Sequence, residues 1–212
     1  MPIDDVSTGG AVLLVFGAGG HGRVVADAAV ASGRWSMVVA SDRNPGRYAG
    51  ELLAGVAMQS LDVAVVAEGP LHVAIGDNTA RERESGVLGQ HRLVTVVHPR
   101  AILSAHAEIA GGCFVAAQAV LAPGACLGRG VVVNHGAVVD HDVTVGAFSH
   151  IAPTAVLGGG AQLGERVLVG SGAVVQAGRR VANDVTIGAG AVVCVDIVEA
   201  GTYVGIPARR IR

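Results

Sequence analysis

The chain has 212 residues, 51% of them hydrophobic but only 3% aromatic, and a formal net charge of -2. Its fixed positive charge is all arginine, which excludes Schiff-base chemistry, pyridoxal attachment and a phosphate-binding P-loop lysine. The balanced charge, with no basic block, argues against a nucleic-acid partner, and so few rings mean a core built from valine, alanine, leucine and isoleucine.

The N-terminus, Met1-Pro-Ile-Asp-Asp5, is acidic where a signal peptide needs basic residues. No apolar run approaches the roughly 20 residues of a membrane-spanning helix. Cys113, Cys126 and Cys194 are an odd set without a CxxC pair, so neither a disulfide framework nor a zinc knuckle is indicated. These features predict a reduced, cytoplasmic protein with no membrane partner.

Residues 11–16 (AVLLVF) predict a strand, followed by Gly17-Ala-Gly-Gly-His-Gly22 and a helix over Arg23 to Ser32. A second strand over Met37 to Ser41 ends at Asp42, and residues 61–67 fit a helix or a strand equally. A third strand, Leu71 to Ile75, meets Gly76-Asp-Asn78 and a charged helix over Thr79 to Gln90; Leu93 to Val97 leads onward. This alternation predicts a small Rossmann-like α/β domain over residues 1–96. Gly17, Gly19 and Gly22 satisfy G-x-G-x-x-G, and Asp42 follows where a dinucleotide fold places an acidic residue, although the unit is short for a full NAD domain. The glycines imply close backbone approach and free N–H groups at a helix start, suited to a phosphate or another anion. A tight strand-to-helix turn without a ligand fits them too.

From Val97 to Val193 every sixth residue is aliphatic, without one insertion. Four residues after each runs a second track, from Ala101 through Cys113, Ala119 and Ala137 to Ile197, small or aliphatic everywhere except Arg179. A period of six fits neither a helix nor a coiled coil; it is a parallel β-helix signature. Three hexads make a triangular coil of about 18 residues, too narrow inside for aromatic rings. Each buried Val or Leu contributes roughly 1.5–3 kcal/mol, offset by the entropy of ordering its coil. The second domain is therefore expected over residues 97–212. Arg179 is costly if it points inward, and a turn outward toward a coenzyme phosphate is one escape.

The hexads, of the form [LIV]-G-x-x-[AV]-x, and the tail Gly201-Thr-Tyr-Val-Gly-Ile-Pro-Ala-Arg-Arg-Ile211 resemble the left-handed β-helix of bacterial hexapeptide acyltransferases. With Gly-Ala-Gly-Gly-His-Gly on a short α/β domain, the chain is similar to one branch of them. That branch comprises the nucleotide-aminosugar N-acetyltransferases and sialic acid O-acetyltransferases. The sharpest segment runs from Asn134-His-Gly-Ala-Val-Val-Asp140-His141-Asp142 to Ser149-His150-Ile-Ala-Pro153. The resemblance implies His141 as general base, Asp142 raising its basicity, His150 in the acetyl-CoA site and the Gly159 amide on the oxyanion side. It further implies a sugar nucleotide held by Gly19, Gly20, His21 and Asp42, with Asn134 near the sugar amine. It also implies a homotrimer with acetyl-CoA between neighbouring prisms.

The residues speak to the same chemistry. His141 is the third residue of its hexad, at an outer corner, and an imidazole with an ordinary pKa of about 6.5 suits direct thioester aminolysis. Gly158-Gly-Gly160 falls at the same corner one coil later, leaving room for a thioester and an N–H for its oxyanion. A merely solvated Asp-His-Asp corner is the plain alternative, and His150, outward in its hexad, fits a surface position as well. His135 reads as surface, and His72, His91, His98 and His106 as structural or surface. The expected activity is acetyl-CoA-dependent, metal-free N-acetylation of a nucleotide-linked 4-amino sugar. Sugar O-acetylation is the alternative; a zinc γ-type carbonic anhydrase, a non-enzymatic nucleotide-sensing scaffold and a dehydrogenase are the more distant ones.

Overall fold

The computed structural model describes residues 10–47, 49–66 and 68–211. Residues Met1 to Asp5, on which the expectation about a leader rests, lie outside them. Among the described residues no helix is long and apolar enough to cross a membrane.

The first part runs β1 (Val12–Phe16), α1 (Gly20–Ser32), β2 (Met37–Ser41), β3 (Glu51–Leu53), β4 (Val56–Ala57), α2 (Leu61–Val66), β5 (Leu71–Val73) and α3 (Asn78–Leu88). β1, β2 and β5 form a parallel sheet in the order β2-β1-β5, as expected of a Rossmann-like unit. The helix α1 starts three residues earlier than the sequence predicts. Gly22 belongs to its packed first turn, where a Cβ would lie 1.8 Å from the Gly17 carbonyl oxygen. The ambiguous stretch after residue 60 is helical, β5 stops at Val73, and α3 ends at Leu88. Asp77 caps α3 by accepting the Ala80 N–H at 2.7 Å. The antiparallel β3–β4 hairpin was not anticipated, because strands of two and three residues are too short to show a period.

From Val96 onward the chain coils into a left-handed parallel β-helix of about six turns. From Val96 to Val193 each hexad contributes a two-residue strand, except for the three residues Val185–Ile187, and strands pair in parallel one coil apart, as in Phe114↔Val132 and Val132↔His150. Both sequence tracks point inward: Val115, Leu121, Val139, Ile151 and Leu157 fill the interior with Cys113, Ala119, Ala137 and Ala155. Arg179 does not join them. It turns outward and pairs with Asp196, Nη1 to Oδ1, at 3.6 Å.

One residue per hexad, from Gly112 to Gly190, has a positive φ and turns the corner. Glycine fills most of these positions, but Gln118, Asp142, Phe148, Thr154, Arg166 and Asp184 adopt the left-handed conformation with side chains. Near the C-terminus the coil shortens: Val181 meets Ile197 and Ile187 meets Tyr203, sixteen residues on instead of eighteen. The tail then folds back as an antiparallel pair, Gly201–Val204 with Arg209–Arg210.

The three outer faces of the prism differ. On the first, Val96, Phe114 and Val132 pack against Val25, Ala26, Ala28 and Ala29 of α1, fastening the α/β unit to the solenoid. On the second, Ile102, Val120, Val138, Val156, Val174 and Val192 are the outward residues, an apolar stripe in line along successive coils. The third carries Glu108, Cys126, Thr144, Gln162 and Arg180.

Candidate active site

A cavity of about 410 Å³ opens where β1, β2 and β5 end, lined by Gly17, Gly19, Gly20, His21, Asp42, Arg43, Arg47, Gly76, Arg83 and Glu84 among others. Gly17 and Gly22 are glycines for packing reasons: a Cβ on Gly17 would lie 2.7 Å from the Ala74 carbonyl oxygen. Gly19 and Gly20 differ, since a Cβ on either would meet nothing within 4 Å. They leave open space in front of the α1 N-terminus, which has no side-chain cap and no acidic residue in its first turn. Its amides and helix dipole therefore suit an anion.

Asp42 is engaged rather than free. Oδ2 accepts the Ala18 N–H at 2.8 Å and Arg47 Nη1 at 3.1 Å, and Oδ1 accepts the Asn44 N–H at 2.9 Å. Burial would raise its pKa, but these three donors outweigh it and hold the carboxyl below its ordinary value. Asp42 thus ties the glycine loop to the end of β2. Beside it the buried Glu84 carboxylate meets Arg43 at 2.7 Å and Arg83 at 3.2 Å. The hydrogen bond from Arg43 is the chief reason that Glu84 stays ionised.

His150 continues the outer column of Val132 and faces the α/β unit. Its ring lies 6.0 Å from that of His21, which stands edge-on to Phe114 at 5.5 Å. Asn134 Nδ2 is 3.2 Å from His150 Nε2. Burial, then the charge of His150, pushes His21 down to about 3; burial, then Arg81, pushes His150 down to about 4. Both are neutral at pH 7.

His141 and Asp142 stand on another corner, after the second-face strand Val138–Val139, with both side chains exposed. His141 Nδ1 is 2.9 Å from Asp142 Oδ2. That hydrogen bond, with the charge of Asp140 behind it, raises the His141 pKa above its ordinary value. The ring lies over Gly159, one coil on: a Cβ there would be 2.4 Å from His141 Nε2. Gly158 and Gly160 donate their amides to Val175 and His141 respectively. The Gly159 N–H between them has no acceptor among the described residues.

The PglD N-terminal domain family matches residues 12–85. The acetyltransferase domain of PglB from Neisseria gonorrhoeae is 36% identical, with a TM-score of 0.88, over 95% of this chain and 100% of that one. That domain is also known in complex with acetyl coenzyme A. A GDP-perosamine N-acetyltransferase from Caulobacter crescentus, in complex with CoA and GDP-perosamine, is 33% identical with a TM-score of 0.87 over 94% of this chain and 96% of that one. The chain belongs to the hexapeptide-repeat acyltransferases. A comparison with curated protein sequences found no match.

Within this acyltransferase the sequence-predicted residues fall into two groups. Gly19, Gly20, His21 and Asp42 line one cavity, and Asn134 and His150 adjoin it through His21. His141, Asp142 and Gly159 share the other corner. His135 is exposed, while His72 is buried with Nδ1 3.0 Å from the Val94 carbonyl oxygen. Sequence reasoning passed over Arg81 and Glu84, two buried charges on a helix that looked like a solvated charged segment. A repeating charge in Arg81-Glu-Arg-Glu84 gives no sign of which side chains turn inward.

Proposed function

We propose that this acyltransferase moves the acetyl group of acetyl-CoA directly onto the amine of a nucleotide-linked 4-amino sugar, with His141 as general base. The observation that carries the reading is the stack of the His141 ring on Gly159 with Nδ1 held by Asp142. With its proton on Nδ1, the imidazole presents the Nε2 lone pair toward the space above Gly159. The amine attacks the thioester carbonyl, an N–C bond forms and Nε2 takes the amine proton. The Gly159 N–H stabilises the tetrahedral oxyanion. Collapse breaks the C–S bond, and the imidazolium returns the proton to the departing thiolate. No acyl-enzyme is needed: Cys113 is buried with its thiol pushed up to about 12, and neither Cys126 nor Cys194 stands in the column of His141 and Gly159.

The acceptor reading draws on the cavity before α1, whose open glycines suit a diphosphate, and on the Caulobacter relative, described with a nucleotide aminosugar. In this division residues 1–96 hold the nucleotide and residues 97–212 perform the transfer. Asn134 and His150, beside the cavity, face the sugar and the acetyl-CoA side. One group lies where the α/β unit meets the first face and the other on the corner after the second face of the same prism, so the site is completed by a neighbouring subunit of a homotrimer. The stripe from Ile102 to Val192 supports this, because an uncovered apolar sheet face favours self-association.

The test is His141→Ala, assayed with acetyl-CoA and a panel of UDP-, dTDP- and GDP-linked 4-amino sugars for thiol release. The expected loss is about 10²–10⁴-fold in kcat with acetyl-CoA affinity retained. Full activity would move the chemistry elsewhere, and a higher kcat/KM on free sialic acid would make the enzyme an O-acetyltransferase. For the assembly, Val138→Asp with Val156→Asp is expected to sediment as monomer and to lose turnover. A monomeric parent protein at micromolar concentration would remove the shared site.

A further inference from the structure

The carbonyl oxygen of Gly76, on the cavity wall, has two partners. Arg81 Nη1 donates to it at 3.1 Å, and His150 Nδ1 lies 3.3 Å away. A carbonyl only accepts, so His150 carries its proton on Nδ1. Its Nε2 is then a lone pair, filled by Asn134 Nδ2 at 3.2 Å. Asn134 Oδ1 takes the His135 backbone N–H at 2.8 Å, which sets the orientation of the amide. Donation therefore runs one way, from His135 through Asn134 and His150 to Gly76. A doubly protonated His150 would set two donors face to face.

Arg81 holds the far end of this chain. It is 1% exposed. Nε donates to Gly130 O at 2.9 Å, Nη1 also to Ile75 O at 2.8 Å, and Nη2 to Asn78 Oδ1 at 2.8 Å and Phe148 O at 2.7 Å. Apart from Asn78 its partners are backbone carbonyls of the loop after β5 and of the solenoid corners. One side chain thus fastens a wall of the cavity to the coil that bears His150. A planar fork with five donors reaches all these acceptors; a lysine ammonium, with three donors on one atom, does not.

We propose that Arg81 is a positioning residue for acetyl transfer: by fixing the Gly76 carbonyl between cavity and solenoid, it sets the tautomer of His150 and the alignment of bound sugar nucleotide against the coil carrying Asn134. The alignment rests on the functional reading above, whereas the hydrogen-bond wiring stands independently of it. The groups facing His150 are His21 from α1, Arg81 from α3 and Asn134 from its own solenoid.

The experiment is ¹⁵N-histidine NMR on the ligand-free full chain at pH 7, for the parent, Arg81→Lys and Asn134→Asp, with steady-state kinetics alongside. The parent is expected to show His150 neutral and protonated on Nδ1. Arg81→Lys keeps the charge and loses the fork. Its His150 is expected to show mixed tautomers, and its KM for the sugar nucleotide to rise about 10- to 100-fold while that for acetyl-CoA stays within about twofold. A simple loss of folded protein would lower kcat and leave both KM values alone. Asn134 is half-buried, so Asn134→Asp keeps the fold tested even if Arg81→Lys does not. Its carboxylate accepts where the amide donated, and His150 is expected to become doubly protonated. A parent His150 protonated on Nε2, or an Arg81→Lys enzyme with unchanged tautomer and unchanged sugar-nucleotide KM, overturns the proposal. Spectra as expected in a protein that acetylates no sugar nucleotide would support the wiring and overturn the functional reading alone.

Discussion

Asp142 occupies a corner column whose other members, Gly124, Gly160 and Gly178, are all glycine in the left-handed region. It adopts a φ of 58° and lays its carboxylate over Gly124, where a Cβ would lie 2.5 Å from Oδ1. A non-glycine residue costs roughly 1–2 kcal/mol in this conformation, so a side chain here is retained against the local preference. What it gains is the hydrogen bond to His141 Nδ1. Asp142→Asn keeps an oxygen to accept from Nδ1 but turns the hydrogen bond that chiefly raises the His141 pKa into a neutral one, leaving only the charge of Asp140 behind it. The acidic limb of the pH–rate profile is therefore expected to move to lower pH. The plateau should fall by less than the roughly 10²–10⁴-fold expected of His141→Ala. A limb that stays in place would show that Asp142 does not set the basicity of His141. The pairing was legible in the sequence, since His141 and Asp142 are adjacent at an outer corner. The left-handed backbone that aims the carboxylate was not, because a single aspartate among the glycines of that column does not announce that it shares their conformation.

Along the corner, the coil after His141 carries Gly158-Gly-Gly160 with no side chains, and neighbouring glycines are glycine for different reasons. Gly159 has no positive φ, so an alanine backbone is tolerated there, but its methyl group would fall 2.4 Å from His141 Nε2. Gly160 is the converse, with a φ of +68° and open space around a Cβ. Gly159→Ala is expected to displace the imidazole and cost about 10²-fold in kcat with an almost unchanged melting temperature. Gly160→Ala is expected to cost about 1–2 kcal/mol of stability and little kcat. Parallel melting curves and kinetics on the two variants check both, and equal effects would mean that the ring is not seated on Gly159. At this scale the sequence was most informative. A strict hexad encodes which residues point inward, and the stacking of His141 on Gly159 follows from it. The same columns read outward distinguish the apolar second face from the polar third. Which face the α/β unit would cover was not legible, since that depends on how Phe114 and Val132 meet α1.

At the scale of the whole molecule, the junction between α/β unit and solenoid is built around neutral imidazoles. His21 and His72 both stand edge-on to Phe114, His150 lies against His21, and the Arg81 guanidinium is buried beside them. Burial is the first cause of every shift: it pushes His21 down to about 3 and His72 and His150 to about 4, helped at His21 by His150 and His72 and at all three by the charge of Arg81. In the unfolded chain each titrates near 6.5. Above that pH neither state binds these protons, so stability does not depend on them. Below it the unfolded state binds more protons than the folded one, and stability falls as pH falls toward the folded values. At pH 5 this amounts to about 2 kcal/mol per histidine, a large share of an ordinary domain's roughly 5–15 kcal/mol. The carboxylates whose pKa is lowered, Asp42, Glu84 and Asp184, lose their contribution in the same direction but only near and below about pH 4, so the two windows separate. Denaturant unfolding at pH 8.0, 6.5 and 5.0 is therefore expected to give similar stabilities at the first two and a steep loss at the third. His72→Phe, which removes one buried imidazole, is expected to lower the stability at pH 8 and to reduce the loss between pH 6.5 and 5.0. Stability that stays level down to pH 5 would mean that water reaches these rings, and that the junction is looser than their packing against Phe114 implies.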